Sequence, residues 1–166
     1  MKPMPAVLLA GGLGTRMREE TEYKPKPMVD IGGRPVIWHI MKNLSQFDFT
    51  EFVICAGYKK ESLKEFFLNY RAFTNDFTIL LNENTITKVH DQGLGENWTV
   101  TVSDTGEFTQ TGGRVSRIRK YVAGRRFLVT YGDGLSDIDI RELLEFHESH
   151  GKIATVSTVR PTSRFG

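Results

Sequence analysis

Three short segments of this chain carry residue types that together can hold phosphate. The first is Leu9-Ala10-Gly11-Gly12-Leu13-Gly14-Thr15-Arg16, three glycines within four positions followed by a hydroxyl and a guanidinium. Glycine allows backbone N–H groups close to phosphate oxygens, and a guanidinium can pair with phosphate through two parallel hydrogen bonds. The pattern matches neither the P-loop signature nor the dinucleotide fingerprint. Taken alone, a glycine-rich turn after a strand also serves as plain structure.

The second segment is Lys24-Pro25-Lys26-Pro27, which leads into Met28-Val29-Asp30-Ile31-Gly32-Gly33-Arg34-Pro35. Proline on both sides of Lys26 predicts a stiff, extended backbone, so this lysine loses less entropy on meeting an anion. The third is Gly132-Asp133-Gly134, after the apolar run Phe127–Tyr131. An aspartate at the carboxyl end of a buried strand lies where open α/β sheets bind ligands, and beside phosphates it suits Mg²⁺. Each has a plainer alternative, a solvated lysine in one case and an Asp-Gly turn in the other. Asp137 and Asp139 read as turn or helix-start residues.

The elements that must position these segments follow from periodicity. Ala6–Ala10 and Phe52–Ala56 are short continuous apolar runs, the pattern of strands buried on both faces of a parallel sheet. Between them, Pro35 stands at the first position of a helix whose apolar face is Val36, Ile37, Ile40, Met41 and Leu44. Leu63, Phe66, Phe67 and Tyr70 mark a second helix. Phe77–Leu81, Ile86–Val89 and Trp98–Val102 read as strands of an antiparallel or peripheral insertion. Helical spacing returns at Val115, Ile118 and Tyr121, followed by the buried strand Phe127–Tyr131, a helix around Ile140–His147 and a last strand, Ile153–Val159. The sum is an α/β fold, one domain over residues 1–166.

The chain has 166 residues, 39% hydrophobic and 25% charged, a globular composition. Its 22 basic and 20 acidic residues leave a net charge of +2, which gives no electrostatic reason for a nucleic-acid or membrane partner. An anionic ligand therefore needs a local site. The single cysteine, Cys55, lies inside an apolar run and reads as a small buried hydrophobe. The start lacks a signal-peptide core and no stretch has transmembrane length, so a cytoplasmic protein is expected. His147 and His150, three apart at a helix end, suit a structural or capping role. Trp38 and His39 read as packing residues, and Lys59-Lys60 and Arg125-Arg126 as solvated charges.

In combination these segments resemble the sugar-phosphate nucleotidyltransferases. The resemblance rests on Leu9–Arg16, the Lys-Pro-Lys-Pro run and Gly132-Asp133-Gly134, in that order and spacing. It is extended by Lys24–Met41, Val102–Gly106, Thr111–Arg114, Thr130–Ile140 and Arg164-Phe165-Gly166, and covers essentially the whole chain. It implies a Rossmann-like, mainly parallel mixed sheet flanked by helices. It also implies an enzyme that joins CTP to α-D-glucose 1-phosphate, giving CDP-glucose, a polysaccharide precursor, and pyrophosphate. UTP, dTTP or GTP chemistry, or a nucleotide-binding module without turnover, are the alternatives.

By the same resemblance, the Leu9–Gly14 backbone holds the nucleotide, and Thr15 and Arg16 engage the triphosphate, with Arg16 facing the leaving pyrophosphate. Lys26 neutralises the α-phosphate and the sugar phosphate, and Asp133 holds Mg²⁺. The Thr105–Arg114 stretch reads base and ribose, through Thr105, Thr109, Thr111 and Arg114. Members of the family continue past the residues corresponding to Arg164-Phe165-Gly166. The continuation is expected to bring a second metal-binding aspartate, much of the sugar pocket and part of a homo-oligomer contact.

Overall fold

The computed structural model describes residues 4–12, 24–90, 93, 95–160; Leu13, Gly14, Thr15 and Arg16 lie outside the described residues. In residues 1–135, four strands form one parallel sheet: β1 (Ala6–Ala10), β4 (Glu51–Ala56), β7 (Thr99–Asp104) and β8 (Leu128–Tyr131), in the order β7-β4-β1-β8. β1 pairs with β4 from Ala6↔Phe52 to Ala10↔Ala56, and with β8 from Ala6↔Leu128 to Leu9↔Tyr131. The two central strands are the continuous apolar runs, and all of Ala6–Ala10 and Phe52–Ala56 is buried. Each buried aliphatic side chain of this kind contributes about 1.5–3 kcal/mol.

Alternation along the strands sends Val7, Leu9, Val53 and Cys55 to one face, where they pack with Ile118 and Val122. Those two come from a helical segment broken at Ile118 into α4 (Thr111–Arg117) and α5 (Arg119–Val122). On the other face Phe52 meets Trp98, and Trp98 meets Trp38 of α1 (Val36–Ser45). α1 buries Ile37, Ile40, Met41 and Leu44, the predicted stripe. It begins one residue later than expected. Pro35 is its cap because it is first committed to a small hairpin, β2 (Asp30–Ile31) with β3 (Arg34–Pro35). Gly32 and Gly33 close that hairpin with φ of +61° and +83°, a turn only glycine makes easily, and Gly33 N–H donates to Asp30 Oδ1 at 2.9 Å.

Several sequence expectations are corrected. The second helix stops at Leu68 (α2, Lys60–Leu68), and Tyr70 starts a separate short helix, α3 (Tyr70–Thr74). β5 (Asp76–Leu80) and β6 (Thr85–His90) form the expected antiparallel insertion. β7 does not join it, because six register positions pair it in parallel with β4. The run expected to be buried at 127–131 is an edge strand with Val129 44% and Tyr131 61% exposed, since β1 is its one ladder partner among the described residues.

Residues 136–166 form a second compact unit. Its helix α6 (Ile140–His150) starts where the Asp139 carboxylate accepts from the N–H groups of Arg141 and Glu142, and ends at Gly151 with φ +59°. His147 Nδ1 and His150 Nε2 both meet the Thr155 hydroxyl at 2.8 Å, and His150 Nδ1 accepts from Lys152 N–H, consistent with a capping role. Ile153–Val159 is not a strand, and its apolar side chains Ile153, Val156 and Val159 are exposed. Apolar content alone does not make a strand without a ladder partner.

Candidate functional site

In a parallel sheet of order β7-β4-β1-β8, the chain connections run outward one way through β4 and β7, then reverse to β8. The reversal falls between β1 and β8, and such switch points open a crevice at the carboxyl ends of the strands. The segments singled out in the sequence converge there. Gly132 N–H donates to the Leu9 carbonyl at 2.9 Å, which carries the β1–β8 pairing one step beyond the strands. A Cβ built on Gly132 would lie 3.2 Å from Leu9 O, 3.3 Å from Ala10 Cβ and 3.4 Å from Pro27 Cγ. The Lys26-Pro27 turn, the end of β1 and the Gly132-Asp133 loop therefore touch one another. Asp133 is exposed beside them.

Lys26 is not extended. Lys26–Met28 is a single 3₁₀ turn, with Met28 N–H on Pro25 O at 2.7 Å and Val29 N–H on Lys26 O at 3.1 Å. A proline φ near −65° suits that turn as well as an extended chain, and the buried prolines 25 and 27 fix the turn from both sides. The stiffness anticipated for Lys26 is present in a different conformation.

The loops beyond β4 and β7 are organised around Arg114. Its guanidinium is buried and donates to five oxygens: Gly11 O, Thr105 Oγ1 and Gly106 O at 2.8 Å, Glu107 O at 3.0 Å and Ala56 O at 3.4 Å. No carboxylate is among its hydrogen-bond partners in the described residues, and burial lowers its pKa from the ordinary arginine value. The acceptors belong to the chain just after β1, the end of β4 and the loop after β7, so one side chain ties three strand ends together. A buried acceptor left without any donor costs about 1–3 kcal/mol.

Thr105 is fully buried, and its hydroxyl donates to Ala56 O at 2.8 Å while accepting from Arg114. Thr109 is half-buried against Gly106 and Gly113, and Thr111 is exposed at the first turn of α4. Of the base-side residues named from the sequence, Thr105 and Arg114 thus spend their polar atoms on the protein.

Lys60, read as a solvated charge, pairs with Asp104 at 2.6 Å across the ends of β4 and β7. Asp104 also accepts from Gly106 N–H at 3.0 Å, and the Lys60 hydrogen bond, then that N–H, hold its carboxyl below the ordinary range. Arg125, also read as solvated, makes a two-pronged pair with Glu51 at 2.7 and 2.6 Å. These were missed because their partners are 44 and 74 residues away in sequence. Arg114 did carry a signal, since it stands four before buried Ile118 on the same helical face. No group of three or more His, Cys, Asp or Glu side chains that could hold a metal occurs among the described residues. None of the described helices is long and apolar enough to cross a membrane.

The sequence model of one family, described as Nucleotidyl transferase, matches residues 5–166. The chain belongs to the nucleotidyl transferase family. Among its relatives, the glucose-1-phosphate cytidylyltransferase of Salmonella typhimurium is 50% identical over 98% of this chain and 63% of its own length. Mannose-1-phosphate guanylyltransferase 1 of Arabidopsis thaliana is 32% identical over 98% of this chain and 40% of its own length. The crystal structure of HddC from Yersinia pseudotuberculosis complexed with GMP-PN superposes with a TM-score of 0.63 at 25% identity, over 87% of this chain and 54% of that one. This nucleotidyl transferase therefore spans less than two thirds of the relatives it matches. Its mainly parallel sheet flanked by helices is the fold of its structural neighbours.

Proposed function

We propose that this nucleotidyl transferase chain holds the nucleotide in the reaction of CTP with α-D-glucose 1-phosphate, giving CDP-glucose and pyrophosphate. The observation that carries this reading is the convergence of the β1 end, the Lys26-Pro27 turn and Gly132-Asp133 at the β1–β8 switch point. The 50% identical Salmonella cytidylyltransferase supports CTP and glucose 1-phosphate over other pairs. We take residues 1–166 as the nucleotide-binding portion of one nucleotidyltransferase domain, acting in the cytoplasm where CTP is made, within a homo-oligomer.

In the reaction an ionised phosphate oxygen of the sugar attacks the α-phosphorus of CTP, and the bond from that phosphorus to the bridging oxygen breaks as pyrophosphate departs. The attacking oxygen carries no proton, so no general base is needed. The chain's task is to bring two polyanions together and neutralise them. Lys26, on its fixed turn, supplies the cation beside the α-phosphate and sugar phosphate. The glycine backbone that follows β1, at Gly11 and Gly12, supplies donors at the phosphates, and Arg16 is assigned to the pyrophosphate by the family resemblance. Thr109, on the loop framed by Arg114, and Thr111, at the first turn of α4, are the base-side side chains left to meet ribose and base.

Asp133 fits Mg²⁺ as a single hard oxygen ligand at the switch point, since this ion is commonly held by one or two carboxylates with phosphates and water completing its shell. Such an ion would offset charge on the phosphates when bound.

Pyrophosphate release with CTP, UTP, dTTP or GTP plus glucose 1-phosphate tests the reading. Turnover restricted to CTP supports it. Preference for another nucleotide assigns a different base, and nucleotide binding without turnover leaves a binding module.

A further inference from the structure

Gly11 and Gly57 lack the usual reason for being glycine, because neither has a positive φ. What each lacks room for is a side chain. A Cβ built on Gly11 falls on Arg114 Nη1 and Cζ, and one built on Gly57 falls on the same guanidinium and within 2.9 Å of Gly106 O. A guanidinium usually swings aside at little cost, but this one is committed to five oxygens and would have to release them.

The bond to Gly11 O has a consequence for the next residue. A trans peptide plane points its carbonyl and the following N–H in opposite directions. Arg114 draws the Gly11 carbonyl inward at 2.8 Å, and Tyr58 N–H reaches the same oxygen at 3.5 Å. The Gly12 N–H is thereby turned away from the guanidinium, and Gly12 is exposed, with no atom of the described residues within 4 Å of a Cβ built on it.

We infer that Arg114 is a positioning residue that fixes the Gly11–Gly12 peptide so that the Gly12 N–H faces the triphosphate, with Gly11 and Gly57 kept as glycine to admit its guanidinium. The same side chain holds Gly106 and Glu107, so the phosphate side and the base side of the site share one strut. This rests on the nucleotide-binding reading and differs from a direct contact between Arg114 and the base.

The test compares the unsubstituted chain with Arg114→Met, Gly11→Ala and the double variant. Melting temperature, affinity for CTP and affinity for inorganic triphosphate are read for each, with the Gly12 amide followed by NMR. Arg114→Met is expected to weaken CTP and inorganic triphosphate alike, by about tenfold, and to shift the Gly12 amide resonance. Gly11→Ala is expected to lower the melting temperature by several degrees with Arg114 present and to add little once it is Met. Loss of CTP affinity with triphosphate affinity unchanged would mean a base contact and overturn the inference. A lower melting temperature with both affinities intact would overturn it too, as would strictly additive Gly11 and Arg114 effects. If the unsubstituted chain binds neither ligand, the nucleotide-binding reading fails and the positioning claim with it, whereas the melting-temperature cycle still decides the glycine slot.

Discussion

Lys60 Nζ lies 2.6 Å from Asp104 Oδ2, closing the loop after β7 against the start of α2. The pair shifts both groups toward their charged forms, lowering the Asp104 carboxyl and raising the Lys60 ammonium. For Asp104, stabilisation is complete above its ordinary value of 3.8 and is lost as pH falls through the lowered folded value. For Lys60, it is complete below its ordinary value of 10.5 and is lost as pH rises through the raised one. Asp104→Asn is expected to lower stability at neutral pH by the small amount an exposed pair contributes and to converge with the parent at acid pH, which flattens the acid limb of the stability–pH curve. The pair is exposed and salt-screened, so 1 M salt should shrink the difference. Urea melts from pH 2.5 to 7 at two salt concentrations check this.

Lys26 and Asp133 are predicted to matter for transfer and little for folding. Asp133 is exposed, and the Lys26 turn is held by backbone bonds and buried prolines rather than by the lysine side chain. Lys26→Ala and Asp133→Asn should each reduce turnover roughly 10²–10³-fold, the scale for removing one group that stabilises developing charge. Melting temperatures should move by no more than a degree or two. Near-normal pyrophosphate release in either variant would remove that residue from the mechanism.

The central strands were readable because burial on both faces leaves a local trace, the unbroken runs Ala6–Ala10 and Phe52–Ala56. β8 was readable as a strand but its edge position was not, since an edge strand and a central one can share the apolar string Phe127–Val129 and differ only in how many neighbours they have. Whether Trp98–Val102 joins the hairpin or the main sheet is likewise decided by a partner more than forty positions earlier. The phosphate-side segments stood out through rare residue types in tight spacing. Lys60–Asp104, Glu51–Arg125 and Arg114–Gly11 did not, because a lysine or arginine carries no mark of its distant acceptor. Gly11 is the clearest case: it was read as permitting phosphate approach, and its Cβ position is filled by the guanidinium of Arg114.

Arg125 and Glu51 provide a control distant from the proposed chemistry, since Glu51 opens β4 at the end opposite Ala56 and Gly57. Their side chains are about a quarter exposed, and the geometry is two-pronged. Arg125→Met should cost up to about 1 kcal/mol of stability and leave nucleotide affinity unchanged. Chemical denaturation paired with calorimetric titration of CTP separates the two effects.

The Cys55 thiol is fully buried, and burial pushes its pKa up to about 11, partly opposed by the Arg114 charge. At pH 8 the thiolate is a minor form by about a thousandfold, and no reagent reaches it in the folded chain. Labelling by a thiol reagent should therefore follow unfolding, rising with urea along the same curve as far-UV circular dichroism. Rapid stoichiometric labelling of the folded chain would contradict this placement.

Gly132 is where the Asp133 loop, β1 and the Lys26 turn meet, and its neighbours cannot rotate away. Leu9 O and Ala10 belong to a central strand, and Pro27 is a ring in a buried turn. An alanine there must push at least one of them by a few tenths of an ångström, a cost on the scale of about 1–3 kcal/mol for a small overpacking. The displacement falls between Lys26 and Asp133, so Gly132→Ala should lower turnover and CTP affinity together with stability. Gly134 sits two residues on, with open space at its Cβ position and no positive φ. Gly134→Ala should consequently be nearly neutral in melting temperature. Equal losses in the two variants would mean that loop flexibility, rather than the contact of Gly132 with β1 and Pro27, sets the geometry at the switch point.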